Sequence, residues 1–377
     1  TGANNTAVGM RALCANTTGN MNTAVGISSL KVQTTGRENV AVGANVMCST
    51  TTGFKNVGIG NYALAKQTTG CHNTASGYLA GYKITTGCRN TASGAYASQE
   101  TTTGCLNSSF GSHSLCANTT GCVNVAVGAY ALINNTTASN NTAVGGCSLY
   151  ANTTGTGNTA IGRSAMAAST CGDQNLAAGF GALANNTTGS YNAAAGYEAL
   201  VNNTTGCFNT ATGLKSSYST TTGKDNTSTG GQSFYSNTTG CLNTAIGRLA
   251  MYSNTTANQN TAVGSCALYT NCTGTQNTAV GANVMGDNTT GSCNVAFGRA
   301  ALYRNTTGGF NVAIGRGALY CNTTASSNVA VGSEAMERTT TGNSNVAIGK
   351  NAACLNTTGT GNVAIGADAL LRTTTSH

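Results

Sequence analysis

Polar and apolar positions repeat along this chain with a period of 17 residues, and the pattern never slips. The unit is plain in residues 294–310, which read NVAFGRAALYRNTTGGF. Asn recurs at Asn5, Asn22, Asn39 and every 17 residues to Asn362, and Gly follows four residues after each, from Gly9 to Gly366. With that Asn as column 1, the consensus is Asn, Thr/Val, Ala, Val/Ile, Gly, x, x, Ala, Leu, x, x, Asn, Thr, Thr, Gly, x, x. All 17 basic residues, all 9 acidic residues and all 14 Tyr fall in columns 6, 7, 10, 11, 16 and 17. Those columns meet water and the others line an interior. A fixed period near 20 residues predicts a solenoid in which each unit leans on its neighbours.

Within the unit, columns 1 to 5 predict a short strand, often β-branched in columns 2 and 4 and closed by Gly. Columns 8 and 9 pair a small residue with Leu or Met, as in Ala12-Leu13, Ala165-Met166 and Ala301-Leu302, and suit a second short strand. Columns 12 to 15, Asn-Thr-Thr-Gly, have turn chemistry. So much Gly, Asn and β-branched residue opposes helix. The expected fold is all-β: a parallel β-solenoid, or β-roll, of 22 coils of 17 residues, stacked about 4.8 Å apart. The column 1 Asn then form a ladder along the stack.

Successive strand residues face opposite ways. Column 3 is Ala in 19 copies, the others being Gly58, Ser109 and Ser228, and column 4 is mostly Val, Ile or Phe. Both strand faces are therefore expected to be covered, column 3 by the same small-residue face of identical chains, as at Ala262, Ala279 and Ala296. Two regions read as weak. One holds Ser76 and Ser93 in column 4 with Gly81 and Ser98 in column 9; the other holds Thr212, Thr229 and Ser217. Each swap is expected to forfeit roughly 1.5–3 kcal/mol of apolar burial.

The strand motif, as in Asn158-Thr159-Ala160-Ile161-Gly162 and Asn345-Val346-Ala347-Ile348-Gly349, resembles the head repeat of YadA-like trimeric autotransporter adhesins. It is similar also to repeats of some phage tail fibres. The family unit is shorter, and Asn-Thr-Thr-Gly reads here as an extension. The resemblance implies a left-handed β-roll, three chains about one axis, and an adhesive or spacer role.

Composition narrows the function. Charged residues make up 7% of the chain, and the net charge of +8 is dilute, so neither a nucleic-acid stripe nor a polybasic membrane patch is expected. No run approaches the roughly 20 apolar residues of a membrane helix. The sequence starts and stops inside a repeat, without the caps solenoids use. Residues 1–377 are expected to be a single uncapped array from a longer fibre, with any anchor or targeting segment outside it.

Candidate chemistry is sparse. His72, His113 and His377 occupy different columns, and the acidic pair Glu334 and Glu337 sits in solvent columns, so no enzyme, metal or cofactor is expected. Six of the 16 Cys share column 16: Cys71, Cys88, Cys105, Cys122, Cys207 and Cys241. The first four stand in consecutive coils, where a rise of about 4.8 Å lies inside the Cα window for a disulfide. Bridges Cys71–Cys88 and Cys105–Cys122, or Cys88–Cys105, are one reading; free thiols in tolerant columns are the other. Column 12 carries 13 glycosylation sequons, at Asn16, Asn118, Asn135, Asn152, Asn186, Asn203, Asn237, Asn254, Asn271, Asn288, Asn305, Asn322 and Asn356. The same residues are good turn formers. Thr fills columns 13 and 14 except at Cys272 and Cys171, an array that invites comparison with ice-binding surfaces. Tyr218, Tyr235, Tyr252 and Tyr269 are consecutive in column 10 and form a candidate surface ladder.

The leading expectation is a structural extracellular fibre or stalk, self-associating as a homotrimer, at a cell or virion surface and in contact with glycans or that surface. The alternative is a binding module whose Tyr ladder, Thr ladder or attached glycans contact polysaccharide or ice.

Overall fold

The computed structural model describes residues 2–375. The chain divides into two compact units, Thr1–Ser190 and Tyr191–His377. Each unit is a parallel β-solenoid. The first carries eleven strands, β1 (Thr6–Val8) to β11 (Leu176–Ala178), and the second another eleven, β12 (Ala193–Ala195) to β22 (Val363–Ile365). Every strand is three residues long, columns 2 to 4, and pairs with the strand one period away. Thr6 faces Thr23, Ala7 faces Ala24 and Val8 faces Val25, and the second unit keeps the same register from Ala193↔Thr210 onward. Among the described residues no helix is long and apolar enough to cross a membrane.

Column 1 explains the invariant Asn. Its side-chain oxygen accepts the backbone N–H of the next Asn, and its amide donates to the column 15 carbonyl of its own unit. Asn294 Oδ1 receives Asn311 N–H at 3.0 Å and Asn294 Nδ2 donates to Gly308 at 2.9 Å. Column 5 explains the invariant Gly. Its φ lies between +112° and +144°, where a Cβ is strained. At Gly281 a Cβ would also meet the carbonyl carbon of Gly298 at 2.9 Å.

The expected second strand is absent. Columns 8 and 9 lie in an irregular turn, and column 9 is left-handed in every coil, with φ of 47–55° at every residue other than Gly81. A left-handed Leu costs about 1–2 kcal/mol. Stacking offsets it, because that backbone still bonds between coils: Leu30 N–H donates to Val46 at 3.0 Å and Leu302 N–H to Ala318 at 2.9 Å. The turn drives Leu or Met into the middle of the coil, where Leu30, Met47, Leu132, Met251 and Leu302 are fully buried.

The column 3 expectation is also overturned. From Ala24 onward every column 3 Ala is buried within its own solenoid, and Ala262, Ala279 and Ala296 are 0% exposed. The coil admits nothing larger than the serines Ser109 and Ser228 at this column. Where column 8 carries Val46 instead of Ala, column 3 of the next coil is Gly58, and a Cβ there would meet Val46 Cγ1 at 2.6 Å. Small residues in column 3 face the chain's own core, not another chain.

Column 4 points outward, so Ser76, Ser93, Thr212 and Thr229 remove nothing from the core. The column 9 gaps are filled. Ser98 shares a hydrogen bond of 2.8 Å with Ser109, and Ser217 one of 2.7 Å with Ser228. At Gly81 the side chains of Ile84 and Leu64 close over the missing Leu. The expected weak coils are compensated internally.

Candidate functional site

The strand places columns 2 and 4 on the outside. In the first unit Val8, Val42, Ile59, Phe110, Val127 and Ile161 are exposed; in the second Ile246, Phe297, Ile314, Ile348 and Ile365 are. Ile161 is 47% and Ile348 42% accessible, large values for branched aliphatics on an ordered sheet. No charged residue stands in columns 1 to 5. Each unit thus carries an uncharged strand face whose column 4 is mostly Val, Ile or Phe, while column 2 is Thr or Ser in 12 of the 22 coils. A strand of three residues stacked at about 4.8 Å offers roughly 50 Å² per coil, or about 500 Å² across eleven. The column 4 share of that area falls within the range of the largest apolar patch on a typical monomer.

The Tyr column is ordered. Tyr218, Tyr235, Tyr252 and Tyr269 stack with centroids 5.0, 5.1 and 5.3 Å apart and planes within 9°. Lys215 lies over the Tyr218 ring at 5.2 Å. Tyr303 and Tyr320 continue the column after a gap at Gly286, 5.4 Å apart. In the first unit His113 is sandwiched between Tyr96 and Tyr130, and His72 meets Phe54 edge-on. His377 lies outside the described residues.

The column 16 cysteines come together without bonding. Among the described residues all are free thiols, and Cys71 and Cys88 stand with sulfurs 3.0 Å apart, beyond the 2.05 Å of a disulfide. The reason is a backbone role. Cys71 N–H donates to Cys88 Sγ at 3.2 Å, Cys88 N–H to Cys105 Sγ at 3.1 Å and Cys105 N–H to Cys122 Sγ at 3.2 Å. Ser139, Asp173, Asn258, Ser292 and Ser326 do the same from column 16 with oxygen. Column 16 thus supplies an acceptor for the coil before it, and its wealth of Cys, Ser, Asn, Asp and Thr was the available signal. Burial, and then the Cys88 thiol, push the Cys71 thiol up to about 11, so at neutral pH it is protonated and a weak nucleophile.

The sequon asparagines are interior. Asn118, Asn135, Asn152, Asn186, Asn203, Asn237, Asn254, Asn271, Asn288, Asn305, Asn322 and Asn356 are at most 1% exposed, and Asn16 is half-buried. Their amides form a second ladder: Asn305 Nδ2 donates to Asn288 Oδ1 at 2.7 Å and to the Gly308 carbonyl at 2.9 Å. A glycan on that nitrogen would displace both bonds and open the turn, so the folded coil does not present these sites. The Thr array is partly consumed as well. Column 13 hydroxyls donate to the column 13 carbonyl of the next coil, as from Thr306 to Thr323 at 3.0 Å. Column 14 alone remains an exposed Thr row.

Glu334 pairs with Arg316 across coils, and Glu337 lies against Cys354 at 3.6 Å. Among the described residues no three His, Cys, Asp or Glu side chains converge on a point that could hold a metal ion. No protein-family model matches the chain, and no curated protein matches it.

Proposed function

We propose that the chain is a structural segment of an extracellular fibre or stalk, built by three copies packed through the outward faces of columns 2 and 4. The observation that carries this reading is the uncharged outward strand face, whose column 4 is Val, Ile or Phe in every coil except at Ser76, Ser93, Ala178, Ala195, Thr212 and Thr229. A face without charge selects a partner without charge, and one that recurs at the coil rise is matched best by another stack of the same rise. Identical chains meet both conditions. The copy number comes from the resemblance to trimeric adhesin heads. The self-contact moves from column 3 to columns 2 and 4, because column 3 is spent inside the coil.

Sedimentation of the full chain tests it. The wild-type chain should run as three copies. Ile161→Lys combined with Ile314→Lys should run as one, with its circular dichroism kept, because both side chains point out of the solenoid. Ala279→Glu should instead lose the fold. A wild-type monomer, or a double variant that still runs as the assembly, refutes the proposal.

A further inference from the structure

The Tyr column of the second unit has one missing ring. Column 10 runs Tyr218, Tyr235, Tyr252, Tyr269, Gly286, Tyr303, Tyr320, and Tyr-Gly-Tyr occurs in this column nowhere else. Tyr269 stacks on Tyr252 with one face, and Tyr303 stacks on Tyr320 with one face. Their other faces look toward the gap, where a cavity of about 310 Å³ opens between them. Its wall is column 7, Leu249, Cys266 and Asn283, and Asp287 stands on its rim.

The dimensions fit one ring. Two coils separate Tyr269 from Tyr303, about 9.6 Å along the stack, whereas neighbouring rings in this ladder stack at 5.0–5.4 Å. A single ring inserted midway would continue the stack in both directions. Tyr303 leans toward the gap: a Cβ at Gly286 would meet its Cε2 at 2.6 Å. The Tyr303 ring takes up part of the space that Gly286 leaves, and it swings back toward Tyr320 to admit a ring. The volume is at the small end of ligand pockets, which suits one residue of a longer ligand rather than a buried oligomer.

The chemistry selects the class. Two opposed aromatic faces carry negative quadrupole potential and suit the C–H faces of a saturated ring. The Asp287 carboxylate and the Asn283 amide, which have no side-chain hydrogen-bond partner among the described residues, meet the ring edge where hydroxyls project. The carboxylate repels anionic ligands. We propose that this gap is a carbohydrate subsite, in which one neutral pyranose residue of a polysaccharide is sandwiched between Tyr269 and Tyr303, its hydroxyls bonded to Asp287 and Asn283. It is independent of how copies of the chain assemble.

Isothermal titration of the full chain tests it, with neutral hexasaccharides of β-1,4-glucose, β-1,4-xylose, β-1,4-mannose, β-1,3-glucose and β-1,4-N-acetylglucosamine, and p-cresol as an aromatic control. At least one sugar should bind with one site per chain. Gly286→Tyr supplies the missing ring from within the fold once Tyr303 swings back toward Tyr320, and should weaken that binding at least tenfold with the circular dichroism kept. Tyr269→Ala should weaken it similarly, and Tyr235→Ala, inside the continuous stack, by less than twofold. Failure of every sugar to bind, binding of p-cresol alone, or undiminished sugar binding in Gly286→Tyr overturns the assignment.

Discussion

Single residues in this chain are fixed by what the next coil leaves free. Gly58 and Val46 are one such pair: a Cβ on Gly58 would meet Val46 Cγ1 at 2.6 Å and Met47 Cε at 3.0 Å as they are packed here, whereas Val284 and Met285 pack beside Ala296. Gly58→Ala should therefore destabilise by about 1–3 kcal/mol, the range for overpacking a filled core. Adding Val46→Ala should restore most of it, a coupling that chemical denaturation of the two single variants and the double variant would measure. Column 16 makes a second residue-scale claim. If Cys88 serves as an acceptor for Cys71 N–H, Cys88→Ser should be nearly neutral, since serine fills the same role at Ser292. Cys88→Ala should cost about 1 kcal/mol for the lost hydrogen bond. Equal melting of the alanine and serine variants would show that the sulfur does nothing for the backbone.

At the scale of the element, the coil is held by two amide ladders that flank one short strand. Asn294→Ala would leave the N–H of Asn311 without its acceptor inside the stack, while the Gly308 carbonyl keeps the Asn305 amide. Leaving such a group unmet costs about 1–3 kcal/mol. Hydrogen exchange should show the loss concentrated in the two adjoining coils, and uniform loosening along the unit would argue against a local ladder. The strand, its register and the column 1 ladder were legible in the sequence, because period, charge exclusion and Asn invariance all report the same stacking. The turn was not. Ala-Leu in columns 8 and 9 has the composition of a strand, and nothing in a single sequence shows that stacking holds Leu302 at φ 51°. The column 3 error has a related cause. Small residues signal close approach without saying whether the approaching chain is a neighbour or the same one. Column 12 was ambiguous for a third reason, since Asn-Thr-Thr is both a sequon and a hydrogen-bonding turn, and the sequence alone does not show that Asn237 and Asn305 are buried.

At the scale of the whole molecule, the two strand faces have opposite fates. Column 3 disappears into the solenoid, and columns 2 and 4 leave an uncharged face with an apolar column 4 that a lone chain would show to water. The proposed fibre rests on that face being covered by identical chains. Footprinting of the assembled wild-type chain with a photoactivated carbene, read residue by residue by mass spectrometry, tests this most directly. The account predicts that Ile161, Ile314 and Ile348 are protected in the native chain, while the Tyr column and the column 14 Thr row are labelled. It predicts that the same Ile348 becomes labelled in the Ile161→Lys, Ile314→Lys variant. Strong labelling of Ile161, Ile314 and Ile348 in the native chain, equal to that in the variant, would contradict it.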